Sequence, residues 1–212
     1  MKQTNTVQKV VVSGVFIALA TVLSLVVIFK LPYGGSITLF SMLPVMILGY
    51  MYGIKWGMLC GLVYGIVQAT LGATMSSAFA GLTGFNVVLM AILDYLVAFA
   101  VLGTAGMFKG KIKNDTLAFS LGAVVAGLLR MLAHFTSGFI LWGSYAEWFF
   151  GTENMNNEFG NYILSNFSGT SLAMMYSIIY NCSYMIPEII TTVIGIVAIM
   201  NVKPLRKGIA GK

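Results

Sequence analysis

A short stretch of the sequence, residues 130–142, carries several side chains that could bind a ligand. It lies in a long apolar segment and holds the only histidine of the chain together with an arginine and a tryptophan. Helical spacing places five polar, small or aromatic residues on one face: Arg130, His134, Ser137, Gly138 and Trp142. An ionisable group at membrane depth is costly and usually faces a protein interior or a wet cavity. This face therefore predicts one wall of a binding site.

The composition of the whole chain indicates an integral membrane protein. Of its 212 residues, 58% are hydrophobic and 8% are charged, whereas soluble domains have about 25% charged residues. The net charge of +6 resides in short loops between apolar runs, which favours a membrane protein over a nucleic-acid binder. Cys60 and Cys182 lie in separate apolar runs, and we interpret them as small buried hydrophobes rather than a disulfide or metal site.

Six apolar segments are each close to the roughly 20 residues that cross a bilayer. They predict an all-α membrane protein of one domain, 1–212, with spans at about 10–29, 37–54, 57–73, 85–107, 117–143 and 171–200. In the third span, Gly57, Gly61 and Gly65 form a stripe of small residues that lets helices approach closely.

The distribution of basic residues predicts that both termini are cytoplasmic. Cytoplasmic segments of membrane proteins carry an excess of lysine and arginine. With the N-terminus inside, the outer side keeps Lys30 and the acidic residues Glu147, Glu153 and Glu158. The inner side then holds Lys2, Lys9, Lys55, Lys109, Lys111, Lys113, Lys203, Arg206, Lys207 and Lys212.

This topology places polar side chains from three spans at one depth. At about 1.5 Å per residue, Asp94, His134 and Asn181 each lie roughly 14–15 Å below the outer end of their helix. Trp142 and Tyr176 lie above them, nearer the outer surface. We therefore predict a site that opens outward and closes below.

Asp94 is the most informative residue of this site, and two interpretations stay open. It could form an internal ion pair with Arg130, or it could be the counter-ion of a cationic ligand. Nearby aromatic residues favour a flat or cationic ligand, because ring faces attract positive charge. The outer segment 145–170, which is long, aromatic and acidic, is either a lid or an interfacial aromatic belt.

Catalytic signatures are missing from the sequence. A single histidine excludes a His-Glu-x-x-His zinc site, and there is no Gly-x-Ser-x-Gly motif. The segment 106–112 is one residue too short between its glycines for a phosphate-binding loop and lacks the following Ser or Thr. The chain is therefore predicted not to be an enzyme and to have no metal site and no means of using ATP.

Four sequence blocks together resemble a known family. They are Leu-Pro-Tyr-Gly-Gly-Ser-Ile at 31–37 with Met-Leu-Pro at 42–44, Leu-Asp-Tyr-Leu-Val-Ala-Phe at 93–99, Leu-Leu-Arg at 128–130 with His134, Ser137 and Gly138, and Tyr-Ser-Ile-Ile-Tyr-Asn at 176–181 followed by Tyr184, Met185 and Pro187. In combination they are similar to the thiamine-specific substrate-binding subunit (S-component) of energy-coupling factor (ECF) transporters, the ThiT/YuaJ family.

The resemblance implies a six-helix fold with a high-affinity thiamine site near the outer face. Asp94 matches the family's acidic position, which is often glutamate. The substrate-binding positions that the resemblance implies are Asp94, Tyr95, His134, Trp142, Tyr176 and Asn181, with Tyr33 as the nearest candidate in the first external loop.

The resemblance also implies partners and a location. ATP would be used only by two ATPase subunits, which act through a transmembrane coupling subunit that docks on Gly14 and Ala18 of the first helix. The chain itself would need no cofactor and would lie in a bacterial plasma membrane.

Two other functions remain open at this point. One is an S-component for a related vitamin or pyrimidine precursor. The other is a standalone proton-coupled carrier with Asp94, His134 and Glu188 as its relay. An intramembrane enzyme is a distant third.

Overall fold

The protein is mainly helical, with one short β-hairpin. The computed structural model describes residues 5–31, 35–75, 78–151 and 158–211. Its elements, in chain order, are α1 (Thr6–Leu25), β1 (Val27–Lys30), β2 (Ser36–Thr38), α2 (Leu43–Tyr52), α3 (Ile54–Met75), α4 (Phe85–Gly106), α5 (Asp115–Trp142), α6 (Ala146–Gly151), α7 (Glu158–Asn166), α8 (Gly169–Asn201) and α9 (Lys203–Ala210).

Five helical segments in the described ranges are long and apolar enough to cross a membrane. They are Thr6–Leu25, Ile54–Met75, Phe85–Gly106, Asp115–Gly151 and Gly169–Asn201. The prediction of a helical membrane protein is confirmed, and the predicted spans 57–73, 85–107, 117–143 and 171–200 correspond to four of these segments.

The first predicted span, 10–29, is helical only as far as Leu25. The next residues form β1, which pairs antiparallel with β2 in the register Val27↔Thr38 and Lys30↔Ser36. β-branched and aromatic residues favour extended structure, and 26–29 is Val-Val-Ile-Phe. The hairpin was not predicted from the sequence.

The second predicted span, 37–54, contains a much shorter helix. α2 has ten residues, which is about 15 Å of helix. Pro44 lies in its first turn, where a missing backbone N–H does no harm. All of its residues from Leu43 to Tyr50 are buried, so α2 is enclosed by other helices.

Contacts between elements show the direction in which the chain runs. Trp56 Nε1 donates to Ser13 Oγ over 3.0 Å and Gln68 Nε2 donates to Ser24 Oγ over 2.8 Å, so α1 and α3 run parallel. Lys9 Nζ lies 5.7 Å from the Tyr52 ring centroid. The chain has therefore returned by the end of α2 to the level at which α1 starts.

The C-terminal helix α9 lies at this same end of the bundle. Lys109 Nζ donates to the carbonyl oxygens of Met51 and Ile209, both over 3.4 Å. These bonds join the end of α2, the segment after α4 and the end of α9. Both described ends of the chain thus lie on one side of the helical bundle.

The predicted glycine stripe brings α3 and α4 into backbone contact. A Cβ atom on Gly57 would lie 2.9 Å from Gly103 Cα, and one on Gly65 would lie 2.6 Å from the Tyr95 carbonyl oxygen. A Cβ atom on Gly61 would lie 2.9 Å from Ala100 Cα. The prediction of close helix packing at this stripe is confirmed.

Helices α5 and α8 pack antiparallel and carry most of the candidate site. Cys182 Sγ lies 3.9 Å from Met131 Sδ, and Gly127 faces the side chain of Ile189. The residue numbers therefore rise along α5 as they fall along the facing stretch of α8, which fixes which residues of the two helices lie at the same level.

Candidate binding site

Asp94 lies on an unusual turn of α4. The segment Ala91–Val97 is a π-helix, flanked by α-helical turns. Such wide turns insert one extra residue and often occur at functional sites. The turn directs Asp94 towards α5, where its side chain keeps 16% of its exposure.

His134 and Ser137 hold the Asp94 carboxylate from α5. His134 Nδ1 lies 2.7 Å from Asp94 Oδ1, and Ser137 Oγ donates to Asp94 Oδ2. Asp94 thus pairs with His134 and Ser137, and this arrangement differs from the sequence-based alternative of a pair with Arg130.

Arg130 determines which nitrogen of His134 carries the proton. Arg130 Nε donates to His134 Nε2 over 3.2 Å. A guanidinium has no acceptor, so Nε2 must accept and the ring proton lies on Nδ1. A neutral His134 therefore donates to Asp94. The Arg130 guanidinium itself lies 4.5 Å from the Phe99 ring centroid.

Asn181 joins α8 to the same group of side chains. It is 4% exposed. Its Nδ2 donates to the Ser177 carbonyl over 2.8 Å and to the His134 carbonyl over 3.4 Å, and Tyr184 OH donates to its Oδ1 over 2.6 Å. The structure therefore places Asp94, His134 and Asn181 at one level, with Asp94 bonded to the His134 ring and Asn181 to the His134 main-chain carbonyl.

Gly138 makes this close approach of α5 and α8 possible. A Cβ atom there would lie 2.5 Å from Ser177 Oγ and 3.2 Å from Asn181 Nδ2. Any side chain at this position would displace the Ser177 hydroxyl, which donates to the Phe135 carbonyl, and would crowd Asn181. The glycine on the polar face of 130–142 thus has a packing role.

A ladder of tyrosines runs along one face of α8 beside these polar groups. Tyr176, Tyr180 and Tyr184 are spaced by four residues, and their neighbouring ring centroids lie 5.9 Å apart in both pairs. Phe149 of α6 packs edge-on against Tyr176 at 5.1 Å. Tyr184 lies 6.1 Å from the His134 ring. Sequence reasoning did not include Tyr184 or Phe149 among the substrate-binding residues; the four-residue spacing was the available signal for Tyr184.

Of the other aromatic candidates, Trp142 lies near Tyr176 and Tyr95 lies elsewhere. Trp142 packs against the cluster that contains Tyr176, and its ring centroid lies 5.7 Å from that of Tyr145. Tyr95 faces α3 instead, with its hydroxyl against Gly72. Its ring stacks on Phe79, which follows α3, at 5.5 Å. Tyr33 lies outside the described residues.

Much of the outer segment 145–170 is helical. α6 and α7 place Phe150 and Ile163 in one buried cluster with Leu172 and Tyr176. Trp148 and Tyr162 on the same helices are 49% and 59% exposed. α6 and α7 thus pack on the N-terminal end of α8 and also expose aromatic rings.

The predicted docking residues lie on the outward face of α1. Gly14 and Ala18 are exposed, and a Cβ atom on Gly14 would meet nothing within 4 Å. Ser13, on the other face, is buried and accepts the hydrogen bond from Trp56.

Comparisons with known proteins agree with this architecture. Residues 10–151 match the family described as Thiamine transporter protein (Thia_YuaJ). The curated Thiamine transporter ThiT of Bacillus subtilis is 26% identical over 201 residues, which cover 90% of this chain and 88% of that protein. A solved structure of ThiT from Listeria monocytogenes has the same fold, with a TM-score of 0.66 and 18% identity over 92% of this chain and 94% of that one.

The family match spans most of the chain, from α1 to α6, and the apolar helices identify a multi-pass membrane protein. Transport, rather than catalysis, is the activity of this family. The chain therefore belongs to the thiamine transporter (Thia_YuaJ) family.

Proposed function

We propose that this chain binds thiamine between α4, α5 and α8 and is the S-component of an ECF-type transporter. One observation carries the proposal: the Asp94 carboxylate, held by His134 and Ser137, shares a polar network with Asn181 beside a face of aromatic rings. Thiamine joins a fixed cation to a hydrogen-bonding pyrimidine ring, so it complements this arrangement.

Each proposed contact follows from the chemistry of its side chain. The thiazolium cation pairs with Asp94, and the rings of His134 and Trp142 supply flat surfaces. Asn181 Oδ1 accepts one hydrogen bond from Tyr184. A carbonyl oxygen has two lone pairs, so Oδ1 can accept a second bond from the aminopyrimidine, next to Tyr176. Tyr33 would complete the proposed site from the first external loop. The ring of Tyr95 faces α3, so we propose that it supports α4 behind Asp94 rather than contacting the ligand.

We also propose a single membrane domain that crosses six times with both termini in the cytoplasm. The contacts of Lys9 and Lys109 support this topology, because they place both described chain ends on one side of the bundle. That side carries most of the basic residues, which favours a cytoplasmic location. β2 and α2 together would form the second crossing.

The same proposal assigns energy use to partner subunits. Gly14 and Ala18 would dock the coupling subunit through close helix packing, as small residues in membranes do. Two ATPase subunits would then drive release of thiamine inside. The chain itself would need no cofactor.

The hydrogen bonds around Arg130 argue against a proton relay through Asp94, His134 and Glu188. Arg130 donates to Nε2 of His134, the ring nitrogen that does not face Asp94. Arginine keeps its proton in proteins. A proton leaving His134 towards Glu188 would therefore have to pass a group that cannot release one.

Tryptophan fluorescence tests the proposal. Submicromolar thiamine should quench the tryptophan fluorescence of the purified protein. Trp142→Phe should reduce the fraction of fluorescence that thiamine quenches, whereas Trp56→Phe, beside α1, should not. No response at millimolar thiamine would reject thiamine as the ligand. Competition with the pyrimidine moiety alone would identify a precursor transporter, and proton-driven uptake by liposomes that contain only this chain would identify a carrier.

A further inference from the structure

Glu188 is a buried carboxylate that the thiamine site does not use. It lies on α8, one turn below Tyr184, and is 3% exposed. Its Oε1 accepts hydrogen bonds from Thr38: from the hydroxyl over 2.7 Å and from the backbone N–H. These bonds fasten β2 to α8. Its Oε2 is buried and has no hydrogen-bond partner among the described residues.

Arg130 is the matching charge on α5. It lies one turn below His134, and its Nη1 is likewise buried without a hydrogen-bond partner in the described part of the chain. The antiparallel packing of α5 and α8 places Gly127 against Ile189 and His134 near Tyr184. Arg130 and Glu188 therefore lie at the same level on facing helices, directly below the candidate site.

We propose that Glu188 is the counter-charge of Arg130 and thereby determines the preference of the site for a cation. This inference rests on the proposed thiamine site. Without Glu188, the arginine would repel a positively charged ligand bound at Asp94. With it, Asp94, Arg130 and Glu188 together carry one net negative charge, which a single monocationic ligand neutralises. Glu188 thus offsets the charge of Arg130 at the ligand and is a specificity-determining residue.

The size of this effect follows from Coulomb's law. We take a separation of about 8 Å between the Glu188 carboxylate and the bound cation, and an effective dielectric constant of about 20. The charge of Glu188 then changes the affinity for the cation by roughly thirtyfold. A neutral ligand of the same shape should not respond. The ratio of the two affinities therefore isolates the charge of Glu188 from its packing role.

The experiment compares thiamine with its neutral analogue, in which a thiophene ring replaces the thiazolium ring, by titration calorimetry on the purified full chain. Glu188→Gln keeps an oxygen that can accept from Thr38 but removes the charge. It should lower the preference for thiamine over the neutral analogue by about tenfold or more. Glu188→Asp, which keeps the charge, should retain the preference of the unmodified protein.

The reciprocal variant predicts the opposite sign. Arg130→Gln keeps a donor for His134 and removes the positive charge, so the preference for thiamine should rise. The preference is a ratio and does not depend on the fraction of protein that folds, so either variant alone tests the sign. An unchanged ratio in Glu188→Gln, or ratios that shift in the same direction in both variants, would overturn the inference. An unmodified protein that binds neither ligand would instead reject the thiamine site itself.

Discussion

Replacing Asp94 by asparagine tests the central charge of the site with little disturbance of its geometry. The asparagine Oδ1 can still accept from His134 Nδ1, and its amide can donate to Ser137 Oγ once that hydroxyl turns. The fold should therefore survive, and the melting temperature without ligand should change little. The loss of one negative charge should appear in ligand binding alone.

The expected loss can be worked out from the charge separation. A carboxylate and a cation about 4 Å apart attract by about 4 kcal/mol at an effective dielectric constant of about 20. Because some of this attraction is lost to desolvation, we expect Asp94→Asn to weaken thiamine binding by about 2–4 kcal/mol, or roughly 30-fold to 700-fold.

Fluorescence titration in detergent, with calorimetry as a second measurement, would provide the affinities. Glu147→Gln is the matched control, because it removes a carboxylate from an exposed position on α6. It should leave the affinity unchanged. Thiamine affinity within threefold of the unmodified protein in a folded Asp94→Asn variant would refute Asp94 as the counter-ion.

Three further predictions concern packing, hydrogen bonding and docking. Gly138→Ala should destabilise the protein by about 1–3 kcal/mol in thermal unfolding, because the new methyl group displaces the Ser177 hydroxyl and crowds Asn181, whereas Gly14→Ala, in open space, should not. Tyr184→Phe should weaken thiamine binding by about 0.5–1.5 kcal/mol, since Asn181 Oδ1 loses its donor; an unchanged affinity would show that this bond does not orient Asn181. Ala18→Leu should leave binding in detergent intact but stop uptake by the complete transporter, and normal uptake would exclude this face of α1 as the docking surface.

Helix geometry explains why the common depth of three candidate side chains could be predicted from the sequence. Once the topology was chosen, the rise per residue alone placed Asp94, His134 and Asn181 at one depth. In the structure, His134 links the other two: its ring bonds Asp94 and its main-chain carbonyl accepts from Asn181. The close packing at Gly57, Gly61 and Gly65 was predictable for a similar reason, because the spacing of small residues determines which face can approach a neighbour.

Features that depend on distant parts of the chain were not predictable. Glu188 binds Thr38 across 150 residues of sequence, and no local pattern links the two. The π-helical turn that presents Asp94 has ordinary helix-forming residues, Ala-Ile-Leu-Asp-Tyr-Leu-Val. The neighbours of Arg130 were equally hidden, since Phe99 lies beside it only after α4 and α5 have packed.

The glycine contacts between α3 and α4 have a mechanical consequence. Where main chains touch, no side chain can change rotamer to let one helix slide past the other. These two helices should therefore move as a unit, and the acidic side of the site, carried by α4, should keep its shape throughout a transport cycle. Opening of the site should then come from α8, whose hydrogen bonds to α5 are made by the side chains of Ser177 and Asn181.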